Sequence, residues 1–407
     1  MRTDRCHAEA RNCGIDHSTA RRHRISGRAG GGCDDKAVGT VVCHELLREE
    51  AYADSKIRIM PDTHSGKNVA VGTTMTVKNR IAPSLVGVDI GCGMEVVFLK
   101  EQELDPEKLD RVIHSHIPAG AKTHDTPVAS FDFDTLHCKG NVNLEHALRS
   151  IGTLGGGNHF IEVDRTEGGG LVLVIHSGSR RLGSDVATYY QDQAYRYQCK
   201  KQRKRARQSY YEDADAGMPL NKKSSSGTVN VKRETAVLEG SLLEEYLHDL
   251  DVVVSFAELN RKTIARLICD HMGLTVTDRF SCIHNYIDTE YRILRKGAIS
   301  ARLGERVIIP LNMRDGALLG TGKGNPEWNF SAPHGAGRAC SRAEAKYAFT
   351  VEEFKQEMEG IYTTTATEGS IDECPMAYKS PSRIFAFIGE TVSDYEIIKP
   401  IYNFKSC

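Results

Sequence analysis

The chain has 407 residues, 40% of them hydrophobic and 26% charged, with a formal net charge of −1. That composition supplies a sizeable core and excludes a global basic field, so a nucleic-acid partner would have to be held by a local patch. No apolar run is long enough to span a bilayer, the N-terminus lacks the apolar stretch of a secretory signal, and the 12 cysteines form no paired framework, which together read as a cytoplasmic protein with reduced thiols.

Residues 1–36 are polar, with a glycine-rich run from Gly27 to Asp35, and read as a flexible leader. From Val38 the texture is globular. Ile57 to Met60 and Val69 to Val77 read as short strands, with Pro61-Asp62-Thr63-His64-Ser65-Gly66-Lys67 as the loop between them. Leu171 to Ile175 is an apolar, β-branched run that delivers His176-Ser177-Gly178-Ser179-Arg180 into a loop. Residues 199–235 form a basic segment of low hydrophobicity in which Lys200, Lys201, Arg203, Lys204, Arg205 and Arg207 cluster. This reads equally as a solvated helix face followed by a surface loop or as a contact for a phosphate backbone. Ser241 to His271 is the clearest helix, with Ser241 and Glu244 as a capping box, a helical apolar spacing, and Gly273 as C-cap; it reads as scaffold. Strands mixed with helices, without regular βαβ alternation, predict an α+β fold.

The chemistry concentrates in a few turns. Asp89-Ile90-Gly91-Cys92-Gly93 sets a carboxylate and a thiol between glycines, a turn that can bend around an ion or simply bury a cysteine. Four loop histidines keep similar company: His159 in Gly155-Gly156-Gly157-Asn158-His159-Phe160, His176, His284 before Asn285, and His334 in Pro333-His334-Gly335-Ala336-Gly337-Arg338. His114, His116, His137, His146 and His248 read as structural. Three of the loop histidines with Asp89 and Cys92 exceed the four ligands of a closed zinc site, which favours two ions bridged by the thiolate. Imidazole and carboxylate donors with open positions suit Mn²⁺, though softness also allows Zn²⁺ or Fe²⁺. His334, beside glycine amides and a guanidinium, reads as a covalent nucleophile for a phosphoryl group.

In this order, Pro61-Asp62-x-His64-x-Gly66, Gly87 to Met94, Gly155 to Glu162, His176 to Arg180, His284-Asn285, Arg295-Lys296-Gly297-Ala298 and His334 to Arg338 resemble the RtcB family of RNA-splicing ligases. The resemblance implies one large α+β catalytic domain over residues 37–407, with central β-sheets flanked by helices and a basic insert near 199–235. It further implies a ligase that joins an RNA 3′-phosphate or 2′,3′-cyclic phosphate to a 5′-hydroxyl, in RNA repair or tRNA splicing, with GTP and two Mn²⁺ ions. His334 would carry the guanylyl group. Cys92 would bridge the ions, with Asp89 and His159 completing one site and His176 and His284 the other. The nucleotide would be held by Asn158, His159, Phe160, Ile161, Glu162, His284, Asn285, Pro310, Leu311, Asn312, Met313, Ala317, His334, Gly335, Ala336, Gly337, Tyr378 and Lys405. Among these, Glu162 would read the guanine edge and Tyr378 would stack on the base, while Arg180 would meet RNA phosphate.

One stretch departs from the family pattern. Where members carry Pro-Gly-Ser-Met-Gly and a following serine, this chain has Pro310-Leu311-Asn312-Met313-Arg314 and Ala317. Leu311 lacks a glycine's backbone freedom, and Arg314 is expected to add a charge beside the pocket. A two-metal 2′,3′-cyclic phosphoesterase without ligation is the alternative this departure raises, and a non-catalytic metal-containing RNA-binding protein is the more distant one. The reading is of a monomer with RNA as partner and no membrane association.

Overall fold

The computed structural model describes residues 52–66, 68–215 and 230–406. The leader, the start of the proposed domain, and residues 216–229 of the basic insert lie outside the described residues, as does Lys67. The fold is α+β, and every sheet in it is antiparallel.

The largest sheet has seven strands in the order β12 (Arg306–Asn312), β13 (Gly316–Gly322), β15 (Val392–Lys405), β5 (Phe160–Arg165), β6 (Leu171–Ser177), β4 (Gly93–Leu99) and β8 (Val276–Ile283). A four-stranded sheet runs β1 (Ile57–His64), β2 (Val71–Thr76), β10 (Ile293–Lys296), β9 (Asn285–Asp288). Two small pairs, β3 (Arg80–Ile81) with β7 (Leu238–Glu239) and β11 (Ala298–Ser300) with β14 (Ser331–Pro333), complete the strands. The helices are α1 (Pro106–His116), α2 (Leu144–Ser150), α3 (Arg180–Asp215), α4 (Ser241–Met272), α5 (Arg342–Ala348), α6 (Val351–Glu357) and α7 (Ser382–Ile388).

The large sheet is covered on both faces, which explains why β6 is apolar without alternation. Leu171, Leu173 and Ile175 pack with Leu109 and Ile113 of α1 and Ile264 and Ile268 of α4. Val172 and Val174 face the other way, with Ile308, Leu318 and Ile384. A third core joins α3 and α4 through Val186, Tyr190, Leu250 and Phe256. Among the described residues, no helix is long and apolar enough to cross a membrane.

Two local expectations are corrected. Pro61 to His64 is not loop but the continuation of β1. The register slips between Ile59↔Thr73 and His64↔Val71, and this irregularity absorbs Pro61, which has no N–H to give the ladder. Ser241 does not cap α4: the N-cap is Gly240 at φ 61, no side chain caps it, and Glu244 instead pairs with Arg292 at 2.8 Å. The C-cap stands as expected, with Gly273 left-handed at φ 75 and its amide bonded to the Cys269 carbonyl. The basic segment is helical from Cys199 to Asp215, the final part of α3.

Candidate active site and metal centre

Register gathers the chemistry onto one rim of the large sheet. β4 and β5 begin there, and β6, β8 and β15 end there. Gly93 pairs with both Ser177 and Ile283, Met94 with His176, and Phe160 with both His176 and Lys405. Cys92, His159, His176 and His284 therefore sit on neighbouring strand ends.

Cys92 Sγ lies 3.2 Å from His176 Nε2 and 3.5 Å from His159 Nε2. His176 Nε2 is 3.3 Å from His284 Nε2, and His159 Nε2 is 3.3 Å from Asp89 Oδ2. The donors form two triplets, Cys92–His176–His284 and Asp89–Cys92–His159, that share the thiol. Outer partners aim two of the rings. His159 Nδ1 donates to the Leu154 carbonyl at 2.8 Å and His176 Nδ1 to the Asn158 carbonyl at 3.0 Å, which turns each Nε2 toward the cluster. Gly178 makes room for Asp89, because a Cβ there would collide with its carboxylate.

Electrostatics agree with a cation site. Burial holds His176 and His284 well below the ordinary imidazole pKa, helped by neighbouring imidazoles, so both are neutral donors. Burial pulls the Asp89 carboxyl upward, but hydrogen bonding and charge from His159 outweigh it and hold the group below the usual range. Burial, then Asp89, push the Cys92 thiol well above its ordinary value. A divalent ion reverses that logic by taking the thiolate as ligand. The donor set, with three buried imidazoles, one carboxylate and one shared thiol, fits two ions.

His334 follows β14, and its ring centroid is 5.0 Å from that of His284. Asp62 Oδ2 accepts from His334 Nδ1 at 2.6 Å, from the His334 amide at 3.1 Å and from the Gly335 amide at 3.2 Å. Asp62 is fully buried. His64 lies against His334 and is pushed down to about 4 by burial and by that neighbour, which keeps it neutral.

Above this rim opens a cleft of about 810 Å³. Asn158, Phe160, Glu162, Pro310, Leu311, Asn312, Met313, His334, Gly335, Ala336, Gly337, Tyr378 and Lys405 all line it. Lys405 Nζ sits 4.7 Å over the Phe160 ring and 3.2 Å from Glu373. Glu162 is pushed up to about 7 by burial, against the hydrogen bond from Asn403 and the charge of Lys405.

The family model described as tRNA-splicing ligase RtcB matches residues 51–406. The chain belongs to the RtcB family. It is 30% identical over 392 residues to RNA-splicing ligase RtcB1 of Escherichia coli, covering 86% of this chain and 88% of that protein. RNA-splicing ligase RtcB of Escherichia coli K12 is 29% identical over 393 residues, with the same coverage. The tRNA-splicing ligase RtcB of Aeropyrum pernix is 27% identical over 424 residues, covering 80% of this chain and 82% of that protein.

Not every residue carried over from the family reaches the cleft. Strand alternation turns the Ile161 side chain into the core with Leu173 and Ile264. Ala317 is likewise buried, in β13 opposite Ile398. His159 and His284 belong to the donor cluster beneath the cleft, and Asn285 accepts from the Gly297 amide at 3.1 Å outside its lining. Arg180 donates to the Gly120 carbonyl at 2.7 Å and to Thr153 Oγ1 at 3.1 Å, bracing the loop that carries His159.

The loop that departs from the family pattern solves its turn by other means. Asn312 Oδ1 accepts from the Arg314 and Asp315 amides at 3.0 and 2.9 Å, a side-chain substitute for glycine freedom. Arg314 does not charge the pocket. It is absent from the cleft lining and its guanidinium is held by Asp315 and Glu357.

Sequence reasoning assigned no role to Asp62, although the Pro-Asp-x-His motif drew notice, and none to Asn260 or Arg261 of the helix read as scaffold. Asn260 accepts from the Gly152 and Thr153 amides and donates to the Gly178 carbonyl. Fully buried Arg261 donates to the Gly91 and Ser177 carbonyls at 2.7 and 3.0 Å. These two residues pin the turns that carry Cys92 and His176. Two polar residues together inside the apolar pattern of α4 were the available signal.

Proposed function

We propose that the protein is an RNA ligase that joins a 3′-phosphate or 2′,3′-cyclic phosphate end to a 5′-hydroxyl, with GTP as co-substrate and two Mn²⁺ ions. Family membership supports the ligase class, since the relatives carry the names RNA-splicing and tRNA-splicing ligase. The observation that carries the detailed reading is the Asp62–His334 hydrogen bond. It fixes the proton on Nδ1 and leaves the Nε2 lone pair free as a nucleophile.

In this reading His334 Nε2 attacks the α-phosphorus of GTP, a P–N bond forms, and pyrophosphate leaves. Asp62 meets the positive charge that develops on the ring. Water opens a cyclic end to the 3′-phosphate. An oxygen of that phosphate takes GMP from His334, and the 5′-hydroxyl then attacks the activated phosphorus, expels GMP and loses its proton. Bound through Asp89, Cys92, His159, His176 and His284, the metal ions would supply charge neutralisation for the phosphates. Glu162 and Asn403 offer oxygen acceptors to the donor edge of a purine, Tyr378 offers a ring face, and Asn158 and Lys405 lie within reach of the nucleotide. The Asn312 turn supports retention of this wall despite its altered sequence.

Incubation with Mn²⁺ and α-labelled GTP should give an acid-labile, alkali-stable covalent label that His334→Ala abolishes. An unlabelled wild type, or equal labelling of the variant, would sink the ligase mechanism.

A further inference from the structure

Although the net charge is −1, the described residues include a strongly cationic feature that the proposed chemistry does not use. α3 begins at the cluster rim with Arg180, and its later turns carry Arg196, Lys200, Arg203, Lys204 and Arg207, all exposed. Their spacing of i, i+4, i+7, i+8 and i+11 places them on a single stripe of the helix, about 16 Å long.

The stripe is presented rigidly. Buried Tyr190, Ala194 and Cys199 anchor the helix. Its other side is tied to β7 and the residue before it, with Tyr197 Oη donating to Glu239 at 2.9 Å, Gln198 to the Val237 carbonyl at 2.9 Å, and Lys201 paired with Glu239. One turn before the stripe, Asp192 is already paired with Arg233 at 2.6 Å. Among the described residues, none of the five stripe cations makes an ion pair. Like charges three and four apart destabilise a helix, so the stripe is a cost to folding that a polyanion would relieve.

Its chemistry narrows the partner. Tyr197 is turned to Glu239, and the exposed rings, Tyr195 and Tyr211, flank the stripe without interleaving with its cations as a single-strand platform would require. Nor does it carry the large apolar side chains of a membrane-surface helix. Charge alone, evenly spaced on a straight rod, suits the phosphates of a duplex. The stripe begins 16 residues after Arg180 and ends 27 after it, about 24 to 40 Å along the axis. A paired stem laid along this axis would meet the stripe several base steps from the reacting ends.

We infer that the exposed stripe from Arg196 to Arg207 docks the phosphate backbone of a paired RNA stem at a distance from the ends being joined. The identity of the anion rests on the RNA-ligase reading. The test measures binding of a 20-base-pair RNA duplex with hydroxyl ends, which cannot be joined, across a salt series. In the variant Arg196→Gln/Lys200→Gln/Arg203→Gln/Lys204→Gln/Arg207→Gln, the slope of log affinity against log salt should become shallower by about 4.5, at about 0.9 per lost contact. Affinity near 0.1 M salt should fall at least tenfold, while joining of single strands of about six nucleotides stays within twofold of wild type. Equal slope and affinity in the two proteins would overturn the inference. A wild type that binds duplex by the stripe yet joins nothing would overturn the ligase reading and leave the docking surface standing. Should the fivefold variant not fold, Lys200→Gln/Lys204→Gln should lose about two units of slope. Photocrosslinking of a 4-thiouridine duplex to wild type should mark the peptide 196–207, and crosslinks confined to other regions would refute the stripe.

Discussion

Two clusters of donor atoms in this protein look alike by distance and differ in every property that makes a metal site. Cys92, His159, His176, His284 and Asp89 form one; His137, His248 and Asp249 form the other, with their donor atoms equally close. In the first, ring Nδ1 atoms are spent on carbonyls so that Nε2 atoms point inward. In the second the arrangement is reversed: His248 Nε2 is spent on the Thr135 carbonyl at 2.9 Å. Asp249 already accepts from Tyr190 Oη, the His137 amide and the Cys138 amide at 2.7 to 3.1 Å. His137 and His248 are exposed, whereas the three histidines of the first cluster are buried. Proximity of donors is cheap; unspent lone pairs held away from water are what distinguish a site.

The largest expected effect separates the clusters directly. Cys92→Ala removes the donor common to both triplets, and joining should fall by about 10³-fold or more, equivalent to several kcal/mol of lost phosphate-charge stabilisation. Metal content measured by elemental analysis should fall with it. His137→Ala/His248→Ala should leave both quantities unchanged. Loss of bound metal in the double variant would break the comparison.

Next in size is Asp62→Asn. An amide cannot reproduce a carboxylate that accepts the Nδ1 proton and offsets the ring's developing charge. Guanylylation of His334 should slow by about 10²- to 10⁴-fold, read as the rate of label incorporation, with metal content intact. A near-normal rate would show that the Asp62–His334 contact is structural only. Asp249→Ala in the other cluster should do the opposite. Three donors lose their acceptor, so denaturant unfolding should report about 2–4 kcal/mol of lost stability while joining per folded molecule is retained.

The contrast also explains what the amino-acid sequence revealed. The strand at Leu171 was legible because both of its faces are buried, and each histidine turn was legible from its glycines. Their assembly was not, because it depends on register between strands such as Met94 opposite His176, which leaves no local trace. Asp62 went unassigned because the group it serves lies 272 residues away. Arg314 was misread as a pocket charge for a related reason: its partner Glu357 is 43 residues on. Local preference erred at Ser241 because a capping-box pattern beside Gly240 at φ 61 has two possible starts, and the glycine took the cap. The His137 pair reads as structural from the ordinary character of its surroundings, where distance alone would promote it.

The smallest effect extends the comparison to buried acids. Asp249 is satisfied by three neutral donors, whereas Glu162 in the cleft wall relies on Asn403 and the charge of Lys405. Burial dominates and raises its pKa from 4.5 to about 7. The folded protein therefore binds a proton more tightly than the unfolded chain does. Stability contributed by this group, which faces the buried Asp164 carboxyl, is fully present below about 4.5 and declines as pH rises through about 7. Glu162→Gln should flatten that decline in urea unfolding measured from pH 5 to 8, because the amide has no proton to lose. The same desolvated oxygens that cost stability when ionised are the ones a nucleotide base would satisfy with its own N–H donors. Bound GTP should therefore stabilise wild type more at pH 8 than at pH 6, and Glu162→Gln should lose that pH dependence. A wild-type stability that rises steadily between pH 5 and 8 would show instead that Glu162 enters the folded state already ionised.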